Sequence, residues 1–357
     1  TVIEASAAPS AGVAAYSDTR LDFAVLLCAT NVTVNGFTLR NANSGVMGQS
    51  VKRVKDSRIE NCDIVDNQAG VTVPWRDYWK NNWLVVSHCR VMRNGKIGIR
   101  TYGSLRLDNL LIADNGGYGI LDDSWDQDSP SYYANLTITG HATYGYYNNG
   151  RDSSTVTMDN CIFEGNATCG ALGRSTIKIR SSVFHNNGVD LGTNTNRSQT
   201  PDATTDCLFG EDPKLDALSA TRGHLLEGSP CSQSGRTDYS GMTVPVTDDL
   251  DHMTRPEGKM DIGCYISPET MKDLAGDGYH IITVVGDPDG YGAPTPGYGQ
   301  TLLRDGIRTF DFSDILTTDA FDGRRVVRVD DGVRALYLGY ALTDDATGTT
   351  LRSSDTE

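Results

Sequence analysis

The sequence predicts an all-β chain: a right-handed parallel β-helix over residues 1–266, a linker over 267–278 and a small β-sandwich over 279–357. Three observations carry this. A nine-residue window recurs between Val34 and Asn187, a Gly-containing apolar run follows most windows, and the C-terminal stretch alternates apolar residues with Gly, Pro and Asp turns. The repeat unit decides the architecture.

The windows read "VNGFTLRNA" from Val34, "IENCDIVDN" from Ile59, "VSHCRVMRN" from Val86, "LDNLLIADN" from Leu107, "YANLTITGH" from Tyr133, "MDNCIFEGN" from Met158 and "IRSSVFHNN" from Ile179. Position one is apolar, position four small or apolar, position six apolar or Thr, and position nine usually Asn or His. The fourth-position residues are Phe37, Cys62, Cys89, Leu110, Leu136, Cys161 and Ser182, spaced by 25, 27, 21, 26, 25 and 21. Positions one, four and six are out of phase for one long strand but suit a short strand that bends. The second runs, "AGVTV", "IGIRTY", "YGILDD", "YGYYNN" and "CGALGR", leave no room for a helix in each unit. Strand, turn, strand, turn at a fixed period is the pattern of a parallel β-helix, whose coils stack at about 4.8 Å so that like positions form ladders. Right-handedness is expected from the general preference of parallel crossovers together with the family resemblance given below. Asn at position nine is expected to take a left-handed corner and to bond the Asn above and below. The competing fold at this period, the leucine-rich repeat, lacks its Leu ladder here.

Composition agrees. With 38 Gly in 357 residues the chain is turn-rich, and it has no apolar run long enough for a membrane span. It opens on "TVIEAS", already strand-like, so earlier coils are expected to precede it. The formal charge of −15 comes without a Lys/Arg cluster, which argues against nucleic acid as a partner and against membrane insertion. Of eight Cys, three (Cys62, Cys89, Cys161) occupy the inward fourth column and are read as small buried thiols. Pairings of Cys161 with Cys169, or of Cys207 with Cys231 or Cys264, stay open. No C-x-x-C pair suggests zinc.

Past residue 190 the rungs fade into "EDPKLDALSATRGHLLEGSPCSQSG" from Glu211 and "RPEGKMDIGCYI" from Arg255. Asp212-Pro213, Leu226, Gly228-Ser229-Pro230, Arg255-Pro256 and Asp261-Ile262-Gly263 with Tyr265 resemble the closing series of secreted bacterial right-handed β-helix proteins of the pectate-lyase-like superfamily. Cys231 and Cys264 stand where that family usually has Ala, and Ile266 where it has Glu. The resemblance implies this fold and an extracellular or cell-surface location. It does not fix an activity, because the family mixes lyases, glycosidases and proteins without known activity. After "SPETMKDLAGDG", the segments "YHIITVVGDPDGYGAPTPGYGQTLL" and "RRVVRVDDGVRALYLGYALTDD" resemble the immunoglobulin-like repeats that follow β-helices in large bacterial surface proteins, implying further domains of the same polypeptide as partners.

In such a scaffold the chemistry is expected in insertions at one corner. Two long coils carry "PWRDYWKNNW" from Pro74 and "DDSWDQDSPSYY" from Asp122, separated by the short coil "GIRTYGS". These predict a groove of Trp75, Arg76, Tyr102, Trp125, Arg151 and Asp152, whose rings stack on sugars and whose charged groups bond hydroxyls or a uronate. An extracellular polysaccharide is the expected partner. For a glycosidase the acids would be Asp122 or Asp123 with Asp126 or Asp152. For a uronate lyase, Arg100 or Arg151 would neutralise the substrate carboxylate, with Tyr147 or Lys80 as base. Asp126 and Asp128 are candidate Ca²⁺ ligands, as are Asp248-Asp249-x-Asp251 and Asp287-x-Asp289; otherwise no cofactor is expected. Turn chemistry explains these acids equally. A second face, Asp66, Asp114, His141 and Glu164, lies where polygalacturonase-like helices keep their acids, but that family's patterns are not reproduced and the residues read as ladder corners. The alternative to a glycan-active protein is a structural stalk or adhesin segment.

Overall fold

A computed structural model of the chain describes residues 2–4, 23–48, 54–73, 84–124, 130–150, 155–173, 176–193, 201–216, 223–239, 246–275, 279–284, 299–304, 319–321, 324–330, 333–336, 340–344 and 349–353. The chain divides into two compact units, the first ending at Leu274 and the second beginning at Ala275.

The first unit is a parallel β-helix. One coil shows the plan: Ser57–Glu60 forms a first face, Asp63–Val65 a second and Ala69–Val73 a third. In the next three coils the first two faces run as one bent strand, Leu84–Met92, Leu105–Ala113 and Ser131–Thr139. Their third-face strands are Ile97–Thr101, Tyr118–Asp122 and Tyr144–Asn148. Every ladder is parallel, and the third face forms one sheet of eight strands. Cys89 lies opposite Leu110 and Leu110 opposite Leu136, so the fourth-position column is continuous with the spacings the sequence predicts.

Positions one, four and six all face the core. Ile59, Val86, Leu107 and Tyr133 (first), Cys62, Cys89, Leu110 and Leu136 (fourth) and Ile64, Val91, Ile112 and Ile138 (sixth) are essentially fully buried. Strict alternation would send positions one and four to opposite sides. The residue between them corrects the phase: Asn61, His88, Asn109, Asn135 and Asn160 at position three have φ of 48–55°. One left-handed residue turns the strand by enough to bring the next side chain inward again.

The second left-handed corner lies at position eight, in Asn41, Asp66, Arg93, Asp114 and Gly140, and not at position nine as expected. Position nine instead points inward and builds the polar ladder. Asn67 Nδ2 donates to Asn94 Oδ1 (3.2 Å), Asn94 Nδ2 to Asn115 Oδ1 (2.9 Å) and Asn166 Nδ2 to Asn187 Oδ1 (2.8 Å). Such buried amides are tolerated because each is bonded to its neighbour and to a backbone carbonyl. The ladder also explains the glycines after each window. They sit within third-face strands, beneath the Asn side chains: a Cβ at Gly98 would lie 2.6 Å from the Gly119 carbonyl and 2.9 Å from Asn115 Nδ2.

Residues 223–239 and 246–267 do not add coils. They return along the flank as a strap over the outer surface of the second face. Leu250, Cys264 and Tyr265 pack on Val65, Met92, Leu111 and Ala113, and Leu225, Cys231 and Ile262 on Ile162 and Val183. The outward position-three amides hold the strap by its backbone: Asn109 Nδ2 donates to Asp248 O (2.9 Å), and Asn135 Nδ2 to Asp261 O and Gly263 O (both 3.2 Å). Arg255 of the "RP" motif donates to Asn109 Oδ1 and Gly263 O, while Asp261 accepts from Ser267 N and Thr270 Oγ1. These motif residues are therefore bolts of the strap.

The stretch expected to be a linker holds a helix, Pro268–Ala275. Ser267 caps it, with its Oγ accepting from Thr270 N (3.1 Å), and Pro268 takes the first helical position. No helix among the described residues is long and apolar enough to cross a membrane. All eight cysteines are free thiols, which resolves the open pairings.

The described strands of the second unit pair antiparallel. Tyr279–Val284 pairs with Gly299–Arg304, Arg324–Asp330 with Asp319–Phe321 and Val333–Leu336, and Tyr340–Asp344 with Thr349–Ser353.

Candidate functional site

The outer surface of the third face gathers the described part of the predicted groove. In the third-face strands Ile99 and Thr101 face the core and Arg100 between them points outward, while alternation breaks at Gly98, so that Ile97 also lies outside, packed with Leu121. The stacked positions follow suit, so Arg100, Leu121 and Tyr147 form one outward column on successive coils. Ala69, Ile97 and Leu121 make a small apolar floor, with Tyr118 and Tyr147 packed on it. Tyr118 and Tyr144 lie in register with ring centroids 5.5 Å apart, and Tyr147 stacks on Tyr144 at 4.9 Å and on Tyr118 at 5.7 Å. All three rings are half-buried, leaving part of each apolar face to solvent.

Beside this platform Arg100 Nε donates to Asp123 Oδ2 (3.0 Å), Asn149 Nδ2 to Asp123 Oδ1 (2.9 Å), and the guanidinium lies 4.8 Å from the Tyr102 ring centroid. Arg100, Tyr102, Asp123 and Tyr147 thus lie on one surface. Trp75, Arg76, Lys80, Trp125, Asp126, Asp128, Arg151, Asp152, Asp287 and Asp289 lie outside the described residues.

Asp122 requires a correction. It is fully buried inside the coil, where Oδ1 accepts from Ser124 N (2.9 Å) and Oδ2 from the Tyr146 hydroxyl (2.9 Å) and Asn148 Nδ2 (3.2 Å). The reason is parity: Ile120 faces the core, so the residue two further on does too. A carboxyl enclosed in this way cannot reach a substrate outside. Burial raises its pKa against the opposing hydrogen bonds.

The remaining groups are poor acids and bases. Asp123 is only 6% exposed and is held by Arg100 and Asn149. Burial pushes the Tyr147 phenol up, and the neighbouring tyrosines push the same way, opposite to what a general base at neutral pH requires. The surface as described offers flat apolar rings, one ion pair and one side-chain amide.

At the other corner the predicted second face is structural. Asp66 pairs with Arg93 (3.1 Å), Glu164 Oε2 accepts from Thr139 Oγ1 (2.7 Å), and Asp66 and Asp114 occupy left-handed turns. His141 stands in the Asn ladder, where its Nδ1 accepts from Asn115 N (3.2 Å) and burial lowers its pKa to about 4. The Asp248-Asp249-x-Asp251 series is likewise engaged: Asp249 Oδ1 accepts from Asp251 N and Met253 N, and Asp251 holds Arg90 (2.8 Å) and His224 (2.7 Å). What sequence reasoning missed is the meeting of Asp248 with His88 and His252. His88 was visible as the one His in a column of Gly, Asn and Ser, but its partners lie 160 residues away.

Comparison of the chain with protein-family models, with curated proteins and with solved structures gave no match.

Proposed function

We propose that the chain is a secreted or cell-surface β-helix that binds an extracellular polysaccharide along the outer surface of its third face, without cleaving it. The observation that carries this is the platform of Tyr118, Tyr144 and Tyr147 beside Arg100. Stacked rings on successive coils offer repeated apolar surfaces to a repeating chain of sugars, and aromatic rings with a polar tip suit such half-wet contacts. Binding is favoured over cleavage because Asp122 is turned inward and Asp123 is ion-paired, so the described surface lacks a free carboxylate pair. The extracellular location, a pectate-lyase-like ancestry and attachment to further immunoglobulin-like domains rest on the motif resemblance, and Ca²⁺ on Asp126 and Asp128 rests on their spacing alone.

The test is affinity electrophoresis of the full chain through gels containing neutral or uronic polysaccharides, with and without Ca²⁺, alongside reducing-end and unsaturated-uronate assays. Retardation by at least one polysaccharide is expected, abolished by the paired change Tyr118→Ala and Tyr144→Ala and weakened by Arg100→Ala, with an unchanged circular dichroism spectrum. No retardation on any polysaccharide would replace this reading with the structural stalk. New reducing ends would show that the site cleaves as well as binds.

A further inference from the structure

We infer that His88, Asp248 and His252 form a binding site for a divalent transition-metal ion of the Zn²⁺ class, which ties the strap to the β-helix. His88 Nε2 lies 3.0 Å from Asp248 Oδ1, and His252 Nδ1 lies 3.3 Å from Asp248 Oδ2. The three ligand atoms all fall within 4.8 Å of one another. Ligands at about 2.0–2.1 Å around a tetrahedral ion stand roughly 3.3 Å apart, so contraction of the set together with a turn of the His252 ring would bring all three onto one ion, with a fourth position left for water. Two imidazoles and a carboxylate are a donor set for zinc and its neighbours; Ca²⁺ prefers an all-oxygen shell.

Three features argue that the cluster is more than a chance ion pair. His88 takes the left-handed position three, where the other windows place Gly, Asn or Ser, and His252 is also left-handed; these are the two histidines among the described residues with positive φ. A bulky side chain in that conformation needs compensation from its surroundings. Next, the Asn109 amide is oriented by Arg255, which donates to its Oδ1, so its Nδ2 faces His88 Nε2 at 3.2 Å. One nitrogen therefore meets a carboxylate that asks for a proton and an amide donor that asks for a lone pair; an ion would take the lone pair and satisfy the carboxylate directly, leaving the amide its shorter bond to the Asp248 carbonyl at 2.9 Å. Finally, His252 is 55% exposed in its side chain, so the site has an entry path.

The two rings lie nearly parallel, 14° apart with centroids 4.7 Å apart. An imidazole lone pair lies in the ring plane, so closure on a common ion requires the exposed His252 ring to turn out of this stack. Metal binding thus carries its own spectroscopic signature.

The test uses the full chain without an affinity tag, stripped with a chelator and titrated with Zn²⁺ by calorimetry, and with Co²⁺ by visible absorption. One equivalent of Zn²⁺ is expected to bind, with a four-coordinate Co²⁺ spectrum and a shift of the His252 ring resonances. His88→Asn, which restores the residue found at this position in neighbouring coils, and His252→Asn should each weaken binding by more than about tenfold. Both should keep the parent's circular dichroism spectrum and its behaviour on polysaccharide gels, so that this inference fails separately from the proposed function. Absence of Zn²⁺ binding, or binding that both variants retain, overturns it.

Discussion

Replacing His141 by Asn should remove an acid sensitivity from the β-helix. His141 is the one imidazole in the inward ladder; its Nδ1 is used, and its Nε2 is buried without a hydrogen-bond partner. Burial holds it at about 4 in the folded chain, against about 6.5 for an unfolded imidazole. The folded value is depressed, so the unfolded state binds the extra proton first. The neutral ring's contribution is whole above about pH 6.5 and is lost as pH falls toward 4. Between pH 8 and pH 5 the loss comes to about 2 kcal/mol, rising to about 3 kcal/mol below pH 4. An Asn at 141 can present Oδ1 to Asn115 N as Asn115 presents its own to Asn94 N at 3.0 Å. Loss of ring volume and relief of the orphan Nε2 oppose each other, so at pH 8 the two proteins should agree within about 1 kcal/mol. Urea unfolding followed by far-ultraviolet circular dichroism at both pH values measures the difference. Amide exchange over residues 131–150 gives the local readout that a repeat array requires. If wild type and His141→Asn lose the same stability between pH 8 and pH 5, the ring is not held neutral by burial and the reasoning fails.

Two other substitutions test the scaffold and the site. Gly98→Ala should cost about 1–3 kcal/mol, because the added Cβ meets the Gly119 carbonyl at 2.6 Å and the backbone cannot recede without shifting the next coil; a melting temperature equal to that of the parent would contradict it. Asp122→Asn should destabilise by a similar amount, about 1–3 kcal/mol, since it sets an amide NH2 against donors that now point at a carboxylate. Below its melting temperature the variant should migrate on polysaccharide gels like the parent; lost retardation in a folded variant would return Asp122 to the binding site.

The coil plan was legible in the sequence because it rests on local periodicity. The buried columns at Ile59, Cys62 and Ile64 and their counterparts follow from apolar spacing, and the register from the spacing of the fourth position. Two further features are written locally in the sequence: the inward turn of Asp122, in its parity with Ile120, and the helix after Ser267, in the Ser-Pro-Glu-Thr start. The left-handed residue at position eight, with Asn inward at nine, was not legible, since Asn suits both places. The strap was beyond reach in principle. Its apolar residues Leu225, Cys231 and Tyr265 show no period, and the column they cover, Leu111 and Ile162, looks in sequence like any other half-buried position. Of the site, sequence reasoning reached Tyr147 but not its stacking partners Tyr118 and Tyr144, and the joining of His88 to Asp248 depends on where the strap comes to rest.

The strap also sets a clock on biosynthesis. A plain solenoid can complete each coil as it is made, since every coil contacts only its neighbours. Here Arg90 must wait for Tyr265, 175 residues later, which at about 5–20 residues per second is a delay of roughly 10–35 s. Throughout that interval the apolar outer column of the second face, from Val65 to Val183, stands uncovered. The newborn chain therefore presents a sticky flank to chaperones or to another copy of itself before its own strap arrives to claim it.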